Sequence, residues 1–505
     1  MRRNLSDLDG TEHDLLVVGG GIQAACIAWD AALRGLRVAL VERDDFGAAT
    51  SANSLRIVHG GLRYLAHGDL ARMRESIRER SALLRVAPGL VEPLPVLVPT
   101  GPAGVPGKAA FGVALALTHL LSLNRNHRLD PARRIAAGRI LSRAECVRLC
   151  PALDADDITG GALWYDARMA RPERLTLAFV ASAAEAGAQV ANYAEAETFE
   201  VSGGAVRSVG VVDRITGRRH LARARQVVIA AGPWTASLAS KAGSPAGPPE
   251  GTPGYALALN LVIGRRLAGT AVGLKTAPSG EPDPGGSGGR FLFLAPQERS
   301  TLLGTWYGVA DPGDDPDQAL DRGAEALLAA FMRACPGLEL SESDVVGRQW
   351  GRLPLKAGLE PGPEATLAER PRIGRPLSGG PENLLTVEAV KYTTARAVAQ
   401  NVVDVVLASM GLRPRACRTD RTPLVGAEIS LSGQPSLEQR VRRAVREEMA
   451  MTLRDVVYRR TELGDPPGPD RDALDVAARI AGDELGWDDR RRLAEESSVA
   501  CAGAV

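Results

Sequence analysis

The chain is poor in the residues that define several classes of protein. It has 6 cysteines among 505 residues, too few for a disulfide scaffold. Cys146 and Cys150 could share a helix face, but no histidine or second cysteine pair lies near them, so they read as buried thiols. Neither sign of charge is in excess. With 61 basic and 60 acidic residues, the net charge of +1 gives no field that would hold nucleic acid. Residues 1–14 are polar and contain no apolar leader segment. No run reaches the roughly 18 to 20 apolar residues of a membrane-spanning helix. The nearest, Ala109 to Leu123, is interrupted by Thr118 and His119. Its plainer reading is a buried core helix, and its second is a segment lying on a membrane surface. A cytoplasmic protein is expected, with a peripheral contact at the inner face of the cell membrane as the variant reading.

What is present is a hydrophobic content of 45%, enough for a sizeable core, in a chain too long for one small domain. Asp14 to Val18 is a short apolar run ending in Gly19-Gly20-Gly21, as a buried parallel strand would. Ile22 to Arg34 is rich in alanine and helix formers, and Gly35 stands where a helix C-terminal glycine belongs. Arg37 to Val41 is a second strand, followed by Glu42. Further helices are expected over Gly68 to Ala87, Leu175 to Gly187 and Ala395 to Ser409. Strands are expected over Gln189 to Asn192, Ala205 to Asp213, Gln226 to Ala231 and Leu384 to Val390, with a pair over Arg290 to Ala295 and Ser300 to Thr305. Gly243 to Thr252 and Pro278 to Gly289 read as loops. From about Leu437 the chain is helical and arginine-rich, so residues 14–425 are expected to form the core and 426–505 a helical C-terminal domain.

The first strand, turn, helix and second strand make a βαβ unit with the features a dinucleotide requires. Gly19 allows the tight turn, and Gly21 lets a pyrophosphate approach the backbone. The helix after it offers free N–H groups and a positive dipole end. Glu42 lies where an acid can accept hydrogen bonds from ribose hydroxyls, which disfavours a 2′-phosphate there. Ala24 replaces the third glycine, an allowed variant. These features leave NAD and FAD both open. A later strand ending in Ala230-Ala231-Gly232-Pro233-Trp234 suits a cofactor lying in a long groove.

Taken together, these segments resemble the FAD-dependent glycerol-3-phosphate dehydrogenases, within the D-amino-acid-oxidase-like flavoproteins. The resemblance is carried by Gly19-Gly20-Gly21 with Ala25, Ala28, Asp30, Arg34 and Gly35, by Val41 to Phe46, by Thr50-Ser51, and by His59-Gly60-Gly61-Leu62-Arg63-Tyr64-Leu65. Ala230 to Trp234 and Gly304-Thr305 add to it, so that it runs from about Asp14 to about Ser409. It implies an α/β fold: a Rossmann-type FAD-binding domain, an interleaved β-rich substrate-binding domain and a helical C-terminal domain. It also implies FAD held by Gly19, Gly20, Gly21, Ala24, Glu42, Arg43, Thr50, Ser51, Ala231, Gly232, Lys391, Thr393 and Thr394.

On the substrate side the match is looser. The family's second signature, Gly-Gly-Lys-x-x-Thr-x-Arg, appears as Ala389-Val390-Lys391-Tyr392-Thr393-Thr394-Ala395-Arg396, with both glycines lost. The arginine expected to hold substrate phosphate is displaced by one residue, to Arg352 in Gly351-Arg352-Leu353-Pro354, and Arg370 matches another substrate-side arginine. Trp306 and Tyr307 replace Thr-Asp and read as pocket wall. Lys391, Arg352 and Arg370 are the implied anion binders, expected within a few ångströms of one another, and His59 is the candidate base. The implied reaction is oxidation of a small anionic polyol, glycerol 3-phosphate first, by hydride transfer to flavin, with quinone or dioxygen as electron acceptor. An oxidase or dehydrogenase of another small anion, or a flavin-binding protein without turnover, are the alternatives; a homodimer is compatible with each.

Overall fold

The computed structural model describes residues 1–65, 68–101, 105–243, 254–276, 291–309, 316–356, 366–374, 380–428, 435–466 and 468–500. The predicted loops over 244–252 and 278–289 lie outside them. The chain divides into two compact units that interleave in sequence. The first is 1–52, 171–250 and 369–504, and the second is 53–170 and 251–368.

The first unit carries a mixed sheet whose central strands are parallel. Its order is Arg372–Gly374, Leu384–Glu388, Arg219–Ile229, Glu12–Val18 (β1), Val38–Val41 (β2) and Gln189–Ala191. Strand β1 pairs in parallel with both β2 and Arg219–Ile229, and Leu15 to Val18 are buried on both faces, as the unbroken apolar run demands. Between β1 and β2 runs Ile22–Leu33 (α1), an almost wholly buried helix. It lies among the sheet, helix Pro172–Glu185 and helix Ala395–Ser409, and Trp29 meets Phe179 edge-on at 5.4 Å. Each large apolar side chain buried this way contributes roughly 1.5–3 kcal/mol. This is an α/β fold with the expected Rossmann-type βαβ unit at its start.

Asp30 and Arg34, one turn apart on α1, are both buried and make a two-point ion pair, Nη2–Oδ2 2.6 Å and Nε–Oδ1 3.1 Å. Arg34 also donates to the Arg415 carbonyl at 3.1 Å and pairs with Asp404 on helix Ala395–Ser409. These two signature residues therefore fasten α1 to a helix distant in sequence. Gly35 has φ +79°, the left-handed value expected after a helix end.

The strand expected over Gln226 to Ala231 is longer. Its polar, alternating first half, Arg219 to Ala222, forms an antiparallel ladder with Val209 to Val212. At the C-terminal end, the helices Leu437–Arg446, Arg471–Leu485 and Asp489–Ala500 enclose a separate apolar core that includes Val441, Leu453, Val457 and Ile480.

The second unit is built on a sheet with nine strands among the described residues, the β-rich domain. Its order is Val345–Pro354, Tyr255–Ile263, Thr301–Val309, Phe291–Pro296, Ala271–Lys275, Val91–Thr100, Gly160–Met169 and Ile57–Val58, with Arg139–Leu141 also on Gly160–Met169. The expected pair over 290–295 and 300–305 is found as neighbouring antiparallel strands. Helix Pro316–Ala334 covers one face, burying Leu320, Leu327, Leu328 and Phe331 at helical spacing. Cys146, Cys150 and Cys335 are buried in this core, and burial pushes the thiols of Cys146 and Cys335 up to about 11 and about 12, so they are inert at neutral pH.

The core-helix reading of Ala109 to Leu123 is corrected. The helix Lys108–Leu121 buries only Leu115, whereas Val113, Leu117, Leu120 and Leu123 are 62%, 43%, 62% and 69% exposed. Val113, Leu117 and Leu120 recur at four- and three-residue spacing, so they form one apolar stripe on the outer side of the helix, and Leu123 follows in the turn after it. Among the described residues no helix is long and apolar enough to cross a membrane.

Candidate FAD and substrate sites

The glycine turn is set by contacts that admit no side chain. Gly19 has φ +120°, and a Cβ there would sit 2.6 Å from the Ala230 carbonyl oxygen. A Cβ on Gly20 would meet the Glu42 side chain at 2.7 Å, and one on Gly21 the Ser51 hydroxyl at 3.1 Å. The turn thus presents bare backbone towards the ends of β1 and Arg219–Ile229 and towards the start of α1. Gly21 caps α1 with no side-chain hydrogen bond, and the Ser51 hydroxyl accepts from the Ile22 N–H at 3.0 Å. Ala24 is fully buried, its methyl accommodated within the helix packing.

Glu42 follows β2. Its own residue is half-buried, but burial of the carboxyl pushes it up to about 7 against the opposing pull of the Asp44 N–H at 2.8 Å. An acid held this way gains by receiving hydroxyl donors, as two ribose hydroxyls would supply. Arg43 stacks over the Trp234 ring at 4.7 Å. Ala231 and Gly232, with φ +55° at Gly232, form the turn after Arg219–Ile229, beside Gly19. A backbone cradle closed to any Cβ, a helix start and a buried acid make a donor and acceptor set that fits a dinucleotide. On the same unit, Lys391 is half-buried in the turn before helix Ala395–Ser409, and its carbonyl accepts from Gln23 Nε2 at 3.3 Å, beside the first turn of α1. Thr393 and Thr394 are buried in that turn. Tyr392, between Lys391 and Thr393, points to helix Pro172–Glu185, bonded to Thr176 Oγ1 at 3.0 Å and the Pro172 carbonyl at 2.9 Å. Arg370, also of this unit, is exposed.

The other two candidate substrate residues belong to the second unit. His59 is half-buried at the head of a turn fixed by Asp166. That carboxylate accepts from the Gly60 N–H at 2.5 Å, from Arg80 at 2.8 Å and from the Trp164 indole at 3.1 Å. Gly61 has φ +79°, and a Cβ on Gly60 would strike Arg80. The His-Gly-Gly motif is thereby a locked turn, held by Asp166 and Arg80, which sequence reasoning did not single out. The one signal for it was a lone acid in the apolar strand Gly160–Met169.

Arg352 is exposed on strand Val345–Pro354, with Leu353 half-buried next to it. Alternation puts Arg352 on the face of Arg348, which pairs with Asp321 of helix Pro316–Ala334, and Leu353 on the opposite face. Trp306 was expected as pocket wall. Its ring instead fills the space over Gly308 and Gly323, where Cβ atoms would come within 2.0 Å and 2.7 Å of it, so it packs the sheet against that helix. The small size of those two residues is the physical reason.

A family profile described as "FAD dependent oxidoreductase" matches residues 14–405, and one described as "C-terminal domain of alpha-glycerophosphate oxidase" matches residues 418–492. Among curated relatives, "Glycerol-3-phosphate dehydrogenase 1" of Mycobacterium tuberculosis is 33% identical over 437 residues, covering 85% of this chain and 79% of the relative. "Aerobic glycerol-3-phosphate dehydrogenase" of Staphylococcus epidermidis is 29% identical over 499 residues, covering 95% and 82%. A solved glycerol-3-phosphate dehydrogenase of Bacillus halodurans, complexed with FAD, superposes with a TM-score of 0.70 at 21% identity, covering 98% of this chain and 95% of that one.

Proposed function

The chain belongs to the family of FAD-dependent oxidoreductases, and from that premise we propose that it oxidises glycerol 3-phosphate at its secondary alcohol. The observation that carries the reading is the likeness, at about a third identity over four-fifths of the relative, to a protein named for that substrate. Bound FAD supplies the hydride acceptor; the chain's residues bind, orient and move the proton. The glycine turn, Ala24, Ser51 and Ala231-Gly232 hold the pyrophosphate region, and Glu42 with Arg43 the adenosine ribose. Lys391, with Thr393 and Thr394, brings positive charge to the reacting end, and Arg370 adds charge for the substrate anion. His59, fixed by the Asp166-anchored turn, takes the hydroxyl proton. Residues 14–425 act as the oxidoreductase core and 426–505 as an appended helical domain.

A second reading rests on Arg352. Its face of the sheet is the one that helix Pro316–Ala334 covers, and Leu353 occupies the opposite face. If Leu353 fronts the substrate, a less charged or bulkier anion is preferred. Stopped-flow reduction decides between the two. Saturable bleaching of the flavin by glycerol 3-phosphate is expected, and no bleaching at millimolar substrate transfers the proposal to another small anion.

The exposed stripe Val113, Leu117 and Leu120, with exposed Leu123 just after the helix and Lys108, Arg125 and Arg128 near it in sequence, supports a peripheral contact with an anionic membrane surface on the cytoplasmic side. Quinone is then the acceptor and dioxygen the substitute. Release from membranes by salt or carbonate is the expected result; a requirement for detergent overturns it. A homodimer completes this reading, to be tested by sedimentation.

A further inference from the structure

The loop that carries Glu42 is gripped from the far end of the chain. Asp45, three residues after Glu42, is 1% exposed. Its carboxylate accepts from Arg459 Nε at 2.6 Å, from Arg460 Nη1 at 2.7 Å and Nη2 at 2.8 Å, and from Asn192 Nδ2 at 2.9 Å. The two guanidiniums hold this carboxyl far below the usual carboxylate range. Both arginines lie in one wide helical turn, Val456–Arg460, closed by the Thr461 N–H on the Val456 carbonyl at 3.0 Å. Such i→i+5 turns concentrate at functional sites.

The grip has a second layer. Arg460 also donates to the Glu448 carbonyl at 3.1 Å and 3.0 Å, and Asn192 to that of Met449 at 2.8 Å. Tyr193 Oη donates to Asp455 at 2.7 Å, and buried Asp455 pairs with Arg459. Tyr193 and Met449 are both in the left-handed region, at φ 51° and φ 58°. A non-glycine residue held there is strained and persists only where its surroundings impose it.

The loop itself has few ways to move independently of Asp45. Glu42 pairs with the 191–194 segment through its N–H on the Ala191 carbonyl at 2.9 Å and its own carbonyl on the Ala194 N–H at 2.7 Å. The Tyr193 N–H bonds the Asp44 carbonyl at 2.9 Å, and the Gly47 N–H returns to the Gly20 carbonyl of the glycine turn at 3.0 Å. Asp45 stands midway between the acid and that return bond. A displacement of Asp45 therefore moves both Glu42 and the turn.

We infer that the C-terminal helical region is a latch on the adenosine end of the FAD site, with Arg459 and Arg460 as positioning residues that act through Asp45 on Glu42 and the glycine turn. The inference rests on the assignment of Glu42 and the glycine turn to FAD. The two arginines bond Asp45, not Glu42 or the glycines, and so fix the loop that carries the acid. Retention of FAD is thus coupled to the folding of a region outside the dinucleotide-binding fold.

The test is titration of apo-protein with FAD, followed by flavin fluorescence quenching, and with ADP, which carries the adenosine half alone, followed by calorimetry. Both are done at a temperature where circular dichroism shows every variant folded. Arg460→Met and Asp45→Asn are expected to weaken both ligands by the same factor, about tenfold or more, in the range of measured site-to-site couplings. Arg460→Lys, which keeps the charge but loses the two-point fork, should fall between, and it carries the test if Arg460→Met fails to fold. Val441→Ala, in the apolar core of the C-terminal helices, should lower Tm yet leave both affinities within about twofold, as independent sites do. Unchanged affinities in Arg460→Met and Arg460→Lys overturn the latch, as does equal weakening by Val441→Ala. Glu42→Gln separates the two levels: if it leaves FAD and ADP binding intact, the site assignment itself has failed, whereas weakening by Glu42→Gln alone removes only the latch.

Discussion

The glycine turn at the end of β1 and the strand Val345–Pro354 both place candidate site groups by backbone geometry, yet they differ in what fixes them. At the turn, the chemistry is the backbone itself. Gly19, Gly20 and Gly21 are surrounded so closely that a Cβ on any of them meets Ala230, Glu42 or Ser51 within 3.1 Å. On the strand, the chemistry is a side chain, and one residue of displacement sends it to the other face. Arg352 accordingly shares the face of Arg348 and its Asp321 partner, while Leu353 takes the opposite one. A site made of main chain is robust to sequence drift at neighbouring positions; a site made of one strand side chain is not.

The sharpest way to break this contrast is at Gly19. Gly19→Val should leave the protein colourless or unfolded, because φ +120° and a carbonyl 2.6 Å from the new Cβ cannot both be relieved. A yellow, folded Gly19→Val protein with FAD in stoichiometric amount would show that the cradle is not the cofactor site. Next in size, Asp30→Ala leaves the buried Arg34 guanidinium without its two-point partner. A loss of about 3–5 kcal/mol in denaturant unfolding is expected, with the flavin spectrum of the folded protein unchanged. A loss below about 1 kcal/mol would mean that Asp404 and the Arg415 carbonyl suffice.

Lys391→Ala should slow flavin reduction by a factor corresponding to about 2–5 kcal/mol while FAD stays bound. Arg352→Ala should match Arg348→Ala, with a stability change of about 0–1 kcal/mol and an unaltered reduction rate. A large fall in the rate for Arg352→Ala alone would place that arginine on the substrate side despite its strand parity.

A pH dependence tests the turn from a different side. The Glu42 carboxyl is pushed up to about 7 by burial, so the folded apo-protein holds a proton there that the unfolded chain has lost. Its contribution to stability is present below the unfolded value near 4.3 and fades as pH rises to about 7. FAD binding runs the other way, since ribose hydroxyls donate to the ionised form. Affinity for FAD should rise about tenfold per unit up to pH ~7 and then level off. Calorimetry in buffers of different ionisation enthalpy should register the proton released; a flat profile would remove Glu42 from the ribose.

Much of the fold was legible. The βαβ unit, the paired strands near 290–305 and the helical C-terminal region all follow from period and punctuation, since a buried parallel strand must be apolar throughout and a helix must end near glycine. The second unit was less so. Strand Val91–Thr100 carries Pro93, Pro95 and Pro99, residues that argue against a strand interior, yet it pairs along its whole length with Gly160–Met169. The three prolines share one parity, so their missing N–H groups can fall at the non-hydrogen-bonded positions of that ladder. Helix Lys108–Leu121 misled for the opposite reason: its composition is that of a core helix, and nothing local tells which side of an apolar helix is covered.

The sequence by itself determined the dinucleotide cradle, because glycine conformation, helix start and the acid after β2 are all set within one βαβ unit. Only the tertiary structure decided that Asp30 and Arg34 fasten α1 to helix Ala395–Ser409, that Asp166 and Arg80 lock the His59 turn, and that Arg459 and Arg460 seize Asp45. Each of these joins charges separated by tens to hundreds of residues. A buried charge requires its partner in space and leaves no trace of it in the residues alongside, so no local reading could have found the pairs.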